Sequence, residues 1–441
     1  MNSITEDIVV MSKARNHGDL VAVNAVMRGL AVIALWLFCG RAAVTSAPGQ
    51  AQDGPEPLPP EIAQVWKQAG AQVGWLRQNE AGSLEFMTAG PARAGDLPAF
   101  RFSLWRRGVL PTLPAPTVAF GLDLTDSRAE DAALRELKGF SNLTFLNLEN
   151  TFVTDEGFKE LGELKNLRAL NLIFTRVTGA GLKELNRDLT LLNVGYSNVT
   201  DASLKELREF KYLTTLNLCG TKVTDAGLKD LGGLQRLRSL YLSRTKVTDA
   251  GIIELQRVEQ LRSLYLNGTK VTDAGLQALV DMTSLQTLEL GETQLTDVGL
   301  KELKSLQSLA SLNLSGALVT DTGLEELKGL KNLTSLRLGG AWMSDTGLKH
   351  LKELKNLTRL MLDSLSATDV GLMELKELKN LVSLGLGGTH VTDAGLKVVA
   401  GFKRLQELDL SKTQVTDAGL RELKELKNLT TLLLDGTQVT D

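Results

Sequence analysis

A carboxylate recurs along this chain at nearly constant spacing: Asp131 and Asp155 come first, then Asp201, Asp225, Asp249 and onward every 24 residues to Asp441. A file of carboxylates along one edge of a fold is the raw material of a calcium ladder or an acid array. The text around each aspartate offers a simpler use. In the segment VTDAGL that begins at Val223, Thr224 can cap the first amides of a helix and Asp225 sits at its positive end. Val223 can then pack on Leu228 as a staple. No metal and no cofactor is therefore expected on this column. The chain has three histidines, His17, His350 and His390, and two cysteines, Cys39 and Cys219, a poor stock for acid–base, zinc or thiol chemistry. No phosphate-binding glycine loop, Cys-x-x-Cys pair or nucleophile elbow occurs, so the residues point away from an enzyme. A formal net charge of -3 supplies no excess of positive charge, and no Lys/Arg run stands apart from neighbouring Glu, which argues against a nucleic-acid partner.

The elements that would position this column can be read from one period, LTTLNLCGTKVTDAGLKDLGGLQR, from Leu213 to Arg236. Its first half alternates apolar and polar residues as a strand does, and its second half spaces Leu228, Leu231 and Leu234 like the buried stripe of a helix. A strand–loop–helix unit of this size cannot bury its own apolar face, so neighbours must stack and share a continuous core. The register slips once, by two residues, between Gly179 and Asp201. Gly227 recurs as Gly251, Gly275 and Gly299 despite the cost of glycine in a helix, which implies that adjacent repeats approach too closely there for a side chain. Fourteen strand segments can be counted, from the one ending at Leu124 to the one ending at Leu434. The expectation is an α/β solenoid, curved, with parallel strands on the concave face and helices on the convex face. The KELKELKN text would form a solvated exterior.

The pattern L-x-x-L-x-L-x-x-T-x-V-T-D-A-G-L resembles the leucine-rich-repeat family, specifically its short branch carrying T-D-x-G-L, over about 320 residues. Similar repeats occur in bacterial secreted or surface proteins and in F-box/leucine-rich-repeat adaptors of ubiquitin ligases. The resemblance implies a protein-binding module that works by contact. The chain departs from the wider family by placing Thr221 and Thr245 where many members carry Asn, and by lacking cysteine-rich caps. The fifth position of the strand motif should face the concave side. It runs through four asparagines, Asn147, Asn171, Asn193 and Asn217, then Tyr241, Tyr265 and Glu289. The asparagines suit a hydrogen-bonding ladder. Tyr241 and Tyr265, read as neighbouring exposed aromatics, are the expected anchors of a binding surface, flanked by Asn217, Asn267 and Glu289. Stacking of the two rings on each other is the structural alternative. Cys219 is also expected on the concave side, as an inert thiol.

Upstream, GLAVIALWLFCG between Arg28 and Arg41 is the length of a signal-peptide core and short for a membrane span. It is followed by small and polar residues and a Pro-rich tract. Residues 1–52 thus read as a signal peptide or membrane anchor, 53–60 as a linker, 61–117 as an N-terminal cap and 118–441 as the solenoid. A start at Met27 suits cleavage after Gly49-Gln50-Ala51, and a start at Met1 suits an uncleaved anchor. The reading that results is an extracytoplasmic module, exported or surface-tethered, touching the membrane only through its N-terminal segment. Its concave face would hold a protein, with a glycan as the other candidate. The alternative is an intracellular adaptor. Leu58-Pro59-Pro60-Glu61-Ile62 resembles the opening of an F-box, but the text after it lacks the hydrophobic helices such a module requires. The chain stops at Asp441 just where a further helix should begin, which implies a fragment or an end covered by something else.

Overall fold

The computed structural model describes residues 56–78, 84–88 and 92–440. The apolar segment, the two candidate start sites, Cys39 and Asp441 lie outside these residues. Two compact units are distinguished, one ending at Thr287 and one beginning at Leu288, with the boundary inside the strand Thr287–Glu289. Among the described residues no helix is long and apolar enough to cross a membrane.

The first unit opens with helix α1 (Pro60–Gln68), where Pro at the first position loses no needed N–H, Glu61 lies in the first turn and Lys67 in the last. It starts at Pro60, just inside the tract read as linker. Three strands follow, β1 (Gln72–Gln78), β2 (Leu84–Met87) and β3 (Leu97–Arg101), with β1 antiparallel to both others. β3 then pairs in parallel with β4 (Phe120–Asp123), the first strand of the repeats. Aromatic packing joins these elements to the first repeat. Trp66 is fully buried, stacks on Phe100 at 3.8 Å and 15°, and meets Phe120 and Phe140 at 6.2 and 5.5 Å. Its indole N–H donates to the carbonyl of Pro114 at 3.0 Å, so the polar end of the ring is not stranded.

From β4 onward each repeat adds a short strand, most of them three residues long, parallel to and in register with its predecessor: Leu192 lies opposite Leu216, and Leu216 opposite Leu240. Leu216 and Leu218 are both fully buried, as are Leu228 and Leu231 from the helical half. That half is shorter and tighter than the expected helix. In the repeat of Leu213 it is one α-turn, Asp225–Leu228, followed by a 3-10 segment, Lys229–Gly233. Leucines spaced by three residues match the three-residue pitch of that conformation. Among the described residues three repeats keep seven α-helical residues, Asp249–Leu255, Asp273–Leu279 and, in the second unit, Asp393–Val399.

The second unit repeats the plan. Its strands from Ser311–Asn313 to Thr431–Leu433 pair in parallel and in register, and those from Ser311–Asn313 to Glu407–Asp409 are each followed by an α-helical or 3-10 segment. Both units therefore show the α/β solenoid class expected from the sequence, with parallel strands in one layer and helical turns in the other.

The aspartate column has a use the sequence did not disclose. Thr224 accepts from the amide of Ala226 as a helix cap should, at 3.3 Å. The carboxylate of Asp225, however, reaches the next repeat, where it accepts from the amide and the hydroxyl of Thr248 at 2.8 and 2.7 Å. The same pair of bonds joins Asp201 to Thr224 and, in the second unit, Asp369 to Thr392. The glycine column follows from this. A Cβ on Gly227 would lie 2.6 Å from Asp201 Oδ1 and 2.8 Å from Leu204 Cδ1. Where the aspartate is replaced by Gly179, the glycine becomes Ser203, whose hydroxyl accepts from the amide of Thr200 at 3.3 Å. A Cβ on Gly179 would in turn meet Ser203 Oγ at 2.6 Å.

Candidate binding surface

The strand layer is the surface on which the sequence placed a site, and the structure gives each of those residues a definite position. Asn217 is half-buried, and its Oδ1 accepts from the amide of Cys219 at 2.8 Å. Asn147, Asn171 and Asn193 likewise accept from the amide two residues on, at 3.0, 3.2 and 3.1 Å. The asparagine row thus closes a local turn in each repeat, where a ladder between repeats was expected. Asn267 is 7% exposed. Cys219 is buried.

Tyr241 and Tyr265 are not the exposed anchors that were expected: they are 9% and 2% exposed and stack at 4.1 Å and 8°. The reason is geometric. Identical side chains on adjacent, in-register parallel strands stand one strand spacing apart, about 4.8 Å, so two flat rings cover each other's faces. Glu289 belongs to the second unit and is 1% exposed, with a carboxylate oxygen accepting from Asn313 Nδ2 at 2.8 Å. Asn217, Tyr241 and Tyr265 therefore share the strand layer of the first unit, and Asn267 stands in the turn that follows the strand Ser263–Tyr265.

A second aromatic pair went unnoticed in the sequence. Phe174 and Tyr196 stack at 4.8 Å and 24°, and both are half-buried. They occupy the turn just after the strand, at φ 58° and 53°. This left-handed position is filled by glycine in six repeats, as at Gly220 and Gly268, and by Asp126, Asn150, Arg244, Glu292, Ser364 and Lys412 in six others. A bulky L-residue adopts that conformation only at a cost. Spacing alone could have found the pair, because Phe174, Tyr196 and Gly220 align in the repeat.

Next to this pair stand carboxylates. Asp126 and Asn150 hold the same turn position in the two preceding repeats, and Asn150 Nδ2 donates to Asp126 Oδ1 at 2.6 Å. Glu149 is pushed from an ordinary 4.5 up to about 7, chiefly by burial. The hydrogen bond from Asn171 opposes that rise, and the charges of Asp126 and Asp123 add to it. Asp123 is itself paired with Arg101 at 3.4 Å.

Parallel three-residue strands, leucines buried from both layers and a bond from each repeat to the next define a class of protein, the repeat solenoid with an open strand surface. The family description "Leucine-rich repeat region" matches residues 194–441, more than half of the chain, and the chain belongs to that family. No curated protein sequence matches it. Among solved structures, an internalin from Listeria monocytogenes is similar at 22% identity and a TM-score of 0.52, over 84% of this chain and 92% of that one. The mouse RP105/MD-1 complex is similar at 20% identity and a TM-score of 0.53, over 76% of this chain and 61% of that one. At these identities the likeness is one of fold. The fold suggests a protein-binding module.

Proposed function

We propose that the chain is an exported or surface-tethered recognition protein that holds a protein partner on its strand surface. Within the first unit the contact region includes Asn217 and Asn267, and the Tyr241–Tyr265 stack serves as its rigid floor. Glu289 marks the corresponding surface of the second unit. One observation carries this reading: the strand-layer side chains are already held in place. Asn217 is tied to its own backbone and the two tyrosine rings to each other, so little side-chain freedom is lost when a partner arrives. Export rests on the uncharged segment between Arg28 and Arg41. The adaptor alternative draws less support, because the stretch Leu58–Ile62 runs into α1, which packs in the cap through Trp66.

The test begins with the mature N-terminus and cell fraction of the natively expressed protein. A chain starting near Gln52 outside the cytoplasm is expected, and an intact soluble cytoplasmic chain would refute export and favour the adaptor. A photo-crosslinking residue at Asn217 is then expected to join the partner, while one at Lys229 on the helical layer is not. Equal cross-linking from both positions would refute the strand surface as the contact.

A further inference from the structure

We infer that the flank of the second unit around Leu318 and Trp342 is an interface at which two copies of this chain join about a two-fold axis. This goes beyond the recognition reading and does not depend on it, since it concerns a face other than the strand surface.

The exposed apolar residues are the first ground. Leu318 and Trp342 occupy equivalent positions in adjacent repeats and are 51% and 77% exposed. Each forms a parallel bridge to the preceding repeat, Leu318 to Thr296 and Trp342 to Thr320, so the two stand one strand spacing apart, about 4.8 Å. Elsewhere this position holds polar residues such as Lys222, Lys246 and Gln414, or Phe152, whose ring lies beneath the guanidinium of Arg176 at 5.1 Å. An uncovered indole beside an uncovered leucine therefore serves no need of the repeat, and contiguous apolar patches on a surface mark sites of association. Four residues further along each repeat, the same run carries Val298, Thr322, Thr346 and Val370, all exposed. The hydroxyls of Thr322 and Thr346 donate to Asp297 and Asp321, which leaves their methyl groups for contact. These two aspartates also accept from the amides and hydroxyls of Thr320 and Ser344, so their carboxylates are satisfied within the chain.

The order of the residues is the second ground and selects the occupant. An axis running across the repeats between Leu318 and Trp342 sets the repeats of two copies face to face in reverse order. Val298 then meets Val370 of the second copy, Leu318 meets Trp342, and Thr322 meets Thr346. Charge follows the same symmetry. Glu325 and Lys349, three residues beyond the two threonines, are both exposed, and the axis sets each against its opposite in the second copy. Lys328 engages only Oε1 of Glu325, at 2.9 Å. At the ends of that series Met373 meets the aliphatic stem of Lys301. A patch whose residue types read alike in both directions, and whose charges pair with their own copies, is self-complementary as an isologous interface requires. The strand surface stays open in such a pair, which presents two copies of it to a multivalent target.

The experiment uses the purified full chain, with its mass followed by sedimentation velocity over a range of concentrations, and a second preparation carrying a photo-crosslinking residue at Leu318. A dimer is expected, with a double-mass adduct that joins position 318 of one copy to the peptide holding Trp342 of the other, recognised in a mixture of isotopically labelled and unlabelled chains. Trp342→Lys places the residue type found at Lys222 and Lys246, so the fold is retained and a melting curve verifies it. Dimer affinity is expected to fall at least about tenfold in this variant. Glu325→Lys and Lys349→Glu should each weaken self-association, by less at high salt, and mixing the two variants or combining them in one chain should restore it. A chain that is monomeric up to about 100 μM, a dimer indifferent to Trp342→Lys, or mixed charge variants that bind no tighter than either alone would each overturn the interface. Adducts leading instead to residues 1–55 of the chain, or in cell extract to a different protein, would overturn the second copy as the occupant. The cross-link from Asn217 tests the recognition reading separately, and none of these outcomes bears on it.

Discussion

Replacing Gly227 by alanine should destabilise the first unit even though alanine is the better helix former. The added Cβ would lie 2.6 Å from Asp201 Oδ1 and 2.8 Å from Leu204 Cδ1, inside contact distance for both. The carboxylate must retreat, and it is holding the amide and hydroxyl of Thr224, each at 2.7 Å. Hydrogen bonds to a charged group contribute about 1.5–3 kcal/mol apiece, and alanine returns about 1 kcal/mol of helix propensity, so a net loss of about 2 kcal/mol is expected. Asp201→Gly alone leaves the same Thr224 amide without its acceptor and should cost a similar amount. The chain already contains the compensated form, Gly179 followed by Ser203. The double variant Asp201→Gly with Gly227→Ser should therefore recover about 1 kcal/mol or more of the summed losses. Urea unfolding followed by circular dichroism measures the sums, and hydrogen exchange at the Thr224 amide reports the bond itself. A higher unfolding midpoint in Gly227→Ala, or strict additivity in the double variant, would refute the reasoning.

Three further outcomes follow from residues already placed. Glu149 is raised from 4.5 to about 7 in the fold, so the folded state binds its proton more tightly than the unfolded chain and stability falls as pH rises across that window. Glu149→Gln should then be more stable than the parent by up to about 3 kcal/mol at about pH 8 and nearly equal to it at about pH 4; superimposable pH–stability curves would contradict this. Trp66→Ala removes the ring that ties α1 to the first repeat and should cost about 3–5 kcal/mol, seen as an early melting step, whereas a single unshifted transition would show the cap to be dispensable. Leu216→Asp puts an unpaired charge at a fully buried position and should unfold the first unit, while Leu216→Met should cost less than about 1.5 kcal/mol. A parental melting curve for the Asp variant would refute the placement of that leucine.

The repeat is legible in the sequence because its rules are local. Alternation over L-x-x-L-x-L marks the strand, T-D-x-G-L marks the helix start, and the glycine column signals close approach, all within a single period. What depends on the neighbouring repeat is harder to read. The bond from Asp225 to Thr248 spans 23 residues, and the pattern fits a purely local helix start equally well. The exposure of Tyr241 and Tyr265 was misjudged for a related reason: each ring is covered by its copy in the adjacent strand, which a single repeat does not reveal. Alignment of the two SLY strands could have corrected it. Phe174 and Tyr196 stand in the turn after the strand, outside the L-x-x-L-x-L alternation, and only alignment of successive repeats sets them in one column.

The bond that runs from each aspartate to the following threonine also bears on how such an array can change in length. Every repeat that carries the aspartate hands on the same acceptor that it receives, so such a unit could be duplicated or excised in frame and the join would still be chemically complete. The repeats on either side of Gly179 break that rule, since Thr200 relies on Ser203 of its own repeat. Inserting a standard unit at this join would set an aspartate against the Ser203 side chain, and deleting the unit that carries Ser203 would leave the next threonine without its acceptor. In this array the parts are interchangeable nearly everywhere, and Gly179 with Ser203 marks a matched pair that has to be inherited together.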